Sequence, residues 1–449
     1  MNKIFSFIAV ASLLGGATAT AQTFAEFPTE EEMQQTGGVQ VTGMSANGRY
    51  IIGATYLSGG CVYDVQDGKL YTTGASGIAD DGTAVSGLMK RNIHTGQTSS
   101  LRRPTGNLSF LMTTGISADG KIVTGTGGAD WTNLRPFYWE GNEAHELPFP
   151  TTEEVGTFKV NGCRANGVSA DGSVIWGNFI ANPNTNNLII WERQTDGSYE
   201  YVDVWTDLYE PQHGWVYDYD RGEYDFVRGP NPYCRIEPYA ISGDGKLILI
   251  RTQENTEEES PANKIGIFHV ETRELELAPW SKDDPVGKAR NFDSRGVAND
   301  GTVVGIATEN NLADAVPFIM KPGEYPQYLN DVYPQFDRLF YYEDTSNRGL
   351  PYLLTVISED ARYIAGYSTD IIWYERDGNV TDDFGFWGFV IDRNGEDDPK
   401  EETGVELIGS EVEYPVEYYT LDGMKVGNPG RGIYIERTPN GVRKLMIKK

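Results

Sequence analysis

The chain of 449 residues holds three cysteines and four histidines, too few and too scattered for the common catalytic and metal centres. Cys61, Cys163 and Cys234 form no CxxC pair, which excludes a thiolate metal cluster and limits the chain to one disulfide. A Cys163–Cys234 bridge and three buried, apolar thiols are both open at this level. His94, His145, His213 and His269 stand singly, with no HExxH and no pair at ligand spacing, so a histidine-based metal site or triad is not expected. Basic residues are scarce too: 37 Lys and Arg face 65 Asp and Glu, for a formal charge of −28. Such a surface repels phosphate backbones and anionic membranes, and nucleic acid is excluded as a partner. No long apolar run and no long 3.6-period face occurs beyond residue 25, which leaves no transmembrane segment there and favours an all-β protein.

The apolar run that does exist, Ile4 to Leu14, follows Lys3 and leads to Ala19-Thr20-Ala21 ahead of Gln22. Residues 1–21 read as a cleaved secretory signal peptide, and no cysteine follows the cleavage point to make a lipoprotein. The expected location is extracellular or on the outer cell surface, with the periplasm as the alternative.

What the chain has in abundance is a repeat. GMSANGRYIIG (43–53), GIADDGTAVSG (77–87), GISADGKIVTG (115–125), GVSADGSVIWG (167–177), AISGDGKLILI (240–250), GVANDGTVVGI (296–306) and VISEDARYIAG (356–366) share a small or polar turn followed by a short apolar strand. The turn residues, six glycines from Gly48 to Gly301 and then Ala361, lie 34, 38, 52, 73, 56 and 60 residues apart, a period of repeat architectures. In the third copy, Thr114 to Ser117 is a strand, Ala118-Asp119-Gly120 a turn, and Lys121 to Thr124 a half-buried strand of alternating polarity. Pro136 to Glu140 and Ala144 to Leu147 complete a four-stranded meander. The third strand recurs at 61–65, 188–192, 265–270, 317–321 and 387–392. A four-stranded sheet has two apolar faces, and stacking sheets around an axis buries both, so the expected fold is a seven-bladed β-propeller over residues 22–393. Eight blades remain the alternative, because the 73-residue interval holds Trp215 to Tyr219 and Tyr224 to Val227, which can pair around Arg221-Gly222. The last blade lacks a fourth strand downstream, and residues between about Phe24 and Thr42 are expected to supply it.

The copies GVSADGSVIWG followed by IIWE, and GISADGKIVTG followed by PFYWE, resemble HAF-type extracellular repeats and related bacterial propeller repeats over residues 40–393. After a charged linker, 394–403, the segment 404–449 contains three short strands, 417–421, 432–437 and 442–447, and a basic end. YYTLDGMKV, GRGIYIER and NGVRKLMIKK resemble the end of the C-terminal sorting domains of Bacteroidetes proteins handled by type IX secretion. That resemblance implies export and contact with secretion machinery.

No catalytic constellation is assigned. Ser-x-Asp-Gly is similar to the Asp box of sialidases but is one residue shorter and lacks the Thr-Trp ending, so Asp119, Asp171, Asp244 and Asp300 are expected to stabilise turns. Trp139, Trp191 and Trp176 read as packing residues. The segment 208–234 lies outside the repeat and concentrates Tyr209, Trp215, Tyr217, Tyr219, Tyr224 and Phe226 with Asp218, Asp220, Glu223 and Asp225. Aromatic faces stack on sugars or peptides and carboxylates accept from hydroxyl or cationic groups, so the candidate ligand-binding residues are Tyr209, Trp215, Tyr217, Tyr219, Tyr224, Asp218 and Asp220. An extra hairpin covering a blade edge is the plainer reading of the same segment. Asp218-x-Asp220-x-Gly222-x-x-Asp225 resembles part of an oxygen-rich Ca2+ loop without completing it, so no metal or cofactor is assigned beyond that option. A second aromatic insertion spans 333–352. The leading expectation is a non-enzymatic propeller binding a glycan or protein ligand; a glycoside hydrolase or polysaccharide lyase, and an envelope scaffold, are the alternatives.

Overall fold

The computed structural model describes residues 23–393 apart from Thr132, 151–158, 183–186, 203–213, 219–220, 228–232, 255–262, 280–290, 309–315, 334–352 and 377–378. Beyond these it describes the strands 417–419, 425–426, 432–438 and 441–447. The proposed signal peptide lies outside the described residues. The protein is all-β and divides into two units, 1–396 and 397–449. No helix among the described residues is long and apolar enough to cross a membrane.

Among the described residues, the first unit holds seven four-stranded antiparallel meanders in succession, two of them joined edge to edge by a single parallel bridge, Leu134 to Gly162. Their innermost strands are Gln40–Met44, Gly77–Ile78, Phe110–Ile116, Lys159–Val168, Tyr233–Ile241, Asn291–Val297 and Leu353–Ile357. In the third meander the remaining strands are Ile122–Gly128, Leu134–Glu140 and Glu143–Glu146, one for each strand expected from the repeat. The seventh takes its outer strand from the chain start: Thr23–Phe27 pairs antiparallel with Asn379–Asp392, Thr23 opposite Asp392 and Phe27 opposite Gly388. The hairpin foreseen in the long interval forms, with Tyr217 opposite Tyr224, but as a separate two-stranded ribbon, Gly214–Asp218 with Glu223–Val227.

Apolar clusters lie between consecutive meanders all the way round. Tyr50, Ile52 and Val62 of the first pack on Ile78 and Ala84 of the second, Val85 on Val123 and Trp139, and Ile122 and Tyr138 join Ile175 and Trp191. Ile175 and Trp191 also share a cluster with Ile248 and Phe268, Leu249 meets Val303 and Phe318, Val304 meets Ile364 and Phe389, and Ala365 and Val390 return to Val41 and Ile51. The cycle therefore closes, as in a β-propeller. Adjacent residues of one strand serve opposite neighbours: Ile51 faces the seventh meander and Ile52 the second, because side chains alternate across a strand. This corrects the half-buried reading of the second strand. All seven residues of Ile122–Gly128 are buried, including Thr124 and Thr126, since a sheet sits on each face. Trp139 and Trp191 are fully buried at equivalent positions, each donating its indole N–H to the segment leaving the preceding outer strand, at Arg102 O and Pro148 O.

The repeated turn is built by its serine as much as by its aspartate. In five copies, the serine N–H donates to the carbonyl five residues on, and its Oγ accepts the N–H of that residue: Ser45/Tyr50, Ser117/Ile122, Ser169/Val174, Ser242/Leu247 and Ser358/Tyr363. Each of these serines also donates to the turn Asp or Asn, as Ser117 does to Asp119 Oδ1 at 2.8 Å. Where alanine stands instead, at Ala79 and Ala298, the N–H reaches the carbonyl four residues on, Thr83 and Thr302. The aspartates accept the N–H two residues later, at 3.0 Å for Asp119, 2.9 Å for Asp171, 3.2 Å for Asp244 and 2.8 Å for Asp300, the Asx role expected of them. Burial works against the charge of Asp119, but Lys121 and Ser117 outweigh it and hold the carboxyl below its ordinary range. Each turn glycine has φ between 71° and 84°, and Ala361 takes the same left-handed place at 60°.

The second unit has a four-stranded sheet in the order Lys425–Val426, Glu417–Tyr419, Gly432–Thr438, Gly441–Ile447. Lys425–Val426 is a strand the sequence reading did not include.

Candidate functional site

The residue between Ser and Asp in each repeat turn points to a role that the linear pattern hides. Hydrogen bonds donated by backbone N–H groups link the seven turns into a ring, five accepted by carbonyls and two by side chains: Asn47 N–H to Asp80 Oδ1 (3.1 Å), Asp80 N–H to Ala118 O (3.0 Å), Ala118 N–H to Ala170 O (2.8 Å) and Asp171 N–H to Gly243 O (3.3 Å). Asp244 N–H then reaches Asn299 Oδ1 (2.9 Å), Asn299 reaches Glu359 O (2.9 Å), and Glu359 returns to Ala46 O (2.9 Å). The ring is tight because its members are mostly small. Gly243 makes room for the longest one, since a Cβ there would meet Glu359 Oε2 at 2.3 Å. Behind the ring, Met44, Ile78, Ile116, Val168, Ile241, Val297 and Ile357, one from each innermost strand, line a single cavity of about 150 Å3. These apolar side chains and the ring form a narrow end of the axis.

Toward the other end six of the innermost strands carry a bulge two positions before that collar, where the ladder register shifts at Thr42, Thr114, Asn166, Tyr239, Arg295 and Thr355. A bulge bends its strand and re-aims the extra side chain. Thr42, Tyr239, Arg295 and Thr355 line a wider cavity of about 390 Å3, with Gln40 and Tyr367 beside them and Gln40 Nε2 donating to Tyr367 Oη at 2.7 Å. Arg251 lies 4.9 Å from the Tyr239 ring centroid and pairs with Glu237, so its charge is balanced. The lining is polar and cationic in part, and no Asp or Glu belongs to it among the described residues.

Each repeat turn follows its innermost strand, so those strands begin at the opposite, wider end. The insertion 208–234 precedes the fifth innermost strand and 333–352 the seventh. One feature at this end was not foreseen: Tyr363–Arg376 and Asn379–Asp392 pair over their whole length, from Tyr363 opposite Asp392 to Arg376 opposite Asn379, while the innermost strand accompanies only 364–367. The signal was present in Arg376-Asp377-Gly378-Asn379, a hairpin turn pattern between alternating stretches.

Of the candidate binding residues, Trp215, Tyr217, Asp218 and Tyr224 sit on the short ribbon, where Trp215 is opposite Phe226 and Asp218 opposite Glu223. Tyr209, Tyr219 and Asp220 lie outside the described residues, as do the side chains that would test the Ca2+ loop. Cys163 is a free, buried thiol, so the Cys163–Cys234 bridge does not form. Burial pushes the Cys163 thiol well up and Cys61 up to about 12, with Glu32 adding to the latter, so neither is available as a nucleophile.

The fold does bring one histidine to carboxylates. Ligand atoms of Asp64, Asp67 and His94 lie within 4.8 Å of one another across the first and second meanders. Arg49 already occupies the fully buried Asp64, donating from Nε to Oδ1 at 3.1 Å and from Nη2 to Oδ2 at 2.9 Å, and both His94 ring nitrogens have tyrosine partners, Tyr50 at 2.8 Å and Tyr71 at 3.4 Å. The group is a satisfied charge network between meanders.

No family model matches the chain, and no curated protein does. Similar solved structures are β-propeller proteins. Oligogalacturonate lyase from Vibrio parahaemolyticus is 10% identical with a TM-score of 0.43, covering 83% of this chain and 97% of its own. The Swd1 β-propeller domain from Myceliophteria thermophila is 10% identical at a TM-score of 0.38, over 77% and 96%. TolB from Acinetobacter baumannii is 13% identical at 0.30, over 64% of this chain, which spans only 60% of that structure's length.

Proposed function

We propose that the protein is an exported, seven-bladed β-propeller that binds a glycan or protein ligand without chemical turnover, at the wider end of its axis. The observation that carries this reading is the asymmetry of the axis: one end is narrowed by the turn ring and apolar collar, while the other opens on a polar cavity where the innermost strands begin. Aromatic and acidic residues at such a mouth suit sugar faces, hydroxyls and cationic groups. The paired carboxylates that a glycoside hydrolase needs have no seat among the described residues of the cavity lining. The apolar run at residues 4–14, the small-residue cleavage pattern and the sorting-domain-like tail support export from a cell of the Bacteroidetes type and delivery to the surface.

The test is a glycan array probed with the mature chain, followed by titration of the best ligand. Saturable binding that is lost in Trp215→Ala and Tyr219→Ala supports the reading. Unchanged affinity in both variants removes the 208–234 insertion from it, and turnover of the bound glycan replaces it with an enzyme.

A further inference from the structure

A second group of side chains draws no residue from the insertions. Most arginines whose side chains are described face carboxylates, as Arg49, Arg102, Arg135, Arg193 and Arg362 do with Asp64, Glu143, Glu146, Glu140 and Asp392. Arg164 does not. Its Nε is buried without a hydrogen-bond partner, and its guanidinium makes no ion pair with any described residue. It lies 6.0 Å from the ring centroid of Trp131, which is 59% exposed and stacks on Phe110 with centroids 4.3 Å apart and planes at 22°. Phe110 opens the innermost strand of the third meander, Arg164 lies on that of the fourth, and Trp131 belongs to the connection between the second and third strands of the third, all toward the wider end of the axis.

An exposed indole held flat by a second ring is a platform for an apolar planar or sugar face. A half-buried guanidinium that faces no described carboxylate is matched by a ligand carboxylate, which accepts two parallel N–H bonds. The chain's charge of −28 disfavours long polyanions, which leaves a short ligand with a single carboxylate at the point of contact. We propose that Trp131, Phe110 and Arg164 form a subsite for a terminal uronic acid residue of an oligosaccharide, its ring on Trp131 and its carboxylate on Arg164.

The probe is cellobiouronic acid against cellobiose, which differ by that carboxylate alone, titrated calorimetrically into the full mature chain. We expect cellobiose to bind at least about 10-fold more weakly, and Trp131→Ala and Arg164→Gln each to weaken the acid by about 10- to 100-fold. Ser99→Ala, on an exposed outer strand, should leave this affinity unchanged. Equal affinity for both sugars, no binding of the acid, or wild-type affinity in Trp131→Ala overturns the proposal. Trp131 is exposed, so that variant decides the matter even if Arg164→Gln fails to fold.

Discussion

Replacing Ser169 by alanine isolates the device on which the repeat turn rests. Ser169 is fully buried; its Oγ accepts the Val174 N–H at 3.0 Å and donates to Asp171 Oδ1 at 2.6 Å. The variant leaves a buried N–H with no acceptor, at a cost of about 1–3 kcal/mol. Relief is available only by sliding to the four-residue closure that Ala79 and Ala298 use, which would move the strand of Val174 against Ile175 and its packed neighbours. We therefore expect a loss of about 2 kcal/mol. In urea, with a slope of about 3–4 kcal/mol/M for a domain larger than the usual small-protein range, the midpoint falls by about 0.5 M at constant slope. Ser99→Ala, on an exposed outer strand, is the control. A Ser169→Ala midpoint indistinguishable from that control would refute the role assigned to the serine.

Ala361 occupies a left-handed position at φ 60°. Glycine there removes strain of about 1–2 kcal/mol and adds about 0.4–1 kcal/mol of unfolded-chain entropy, so Ala361→Gly should stabilise by about 0.5–1 kcal/mol in thermal or urea unfolding; a loss of stability contradicts the strain. Burial, then the charges of Asp80, Asp360, Asp171 and Asp244, raises the Glu359 carboxyl above its ordinary range. The folded state thus holds that proton more tightly than the unfolded chain, so the penalty is full above the raised value and fades as pH falls toward the ordinary one. Glu359→Gln should be more stable than the parent at pH 7.5, by less than about 1 kcal/mol because the carboxyl is partly solvated, and the gap should close on acidification. A gap that stays constant with pH would assign the effect to packing.

Much of the fold was legible because each repeat is a local object. A turn of Ser-x-Asp-Gly between apolar strands forms from its own residues, so strand order, the positions of Trp139 and Trp191 and the outer strand supplied by Thr23–Phe27 could be read from spacing. The half-buried reading of the second strand rests on the polar and apolar residues of Lys121 to Thr124, while both faces are covered only once two neighbouring sheets arrive. The candidate site was less legible. The pairing of His94 with Asp64, the bulge residues around the 390 Å3 cavity and the meeting of Arg164 with Trp131 all join residues from different meanders or connections.

The amino-acid sequence by itself determined what one repeat can build: a serine and an aspartate that close a turn, a left-handed residue that reverses the chain, and strands too apolar to stay single. Only the tertiary structure decided what the interval residue of that turn does. Ala46, Asp80, Ala118, Ala170, Gly243, Asn299 and Glu359 are far apart in the chain, yet their turns hydrogen-bond in a ring because the meanders that carry them pack side by side. Local hydrogen bonding is encoded within about ten residues of the chain, whereas the meeting of side chains around an axis depends on where every other sheet has packed.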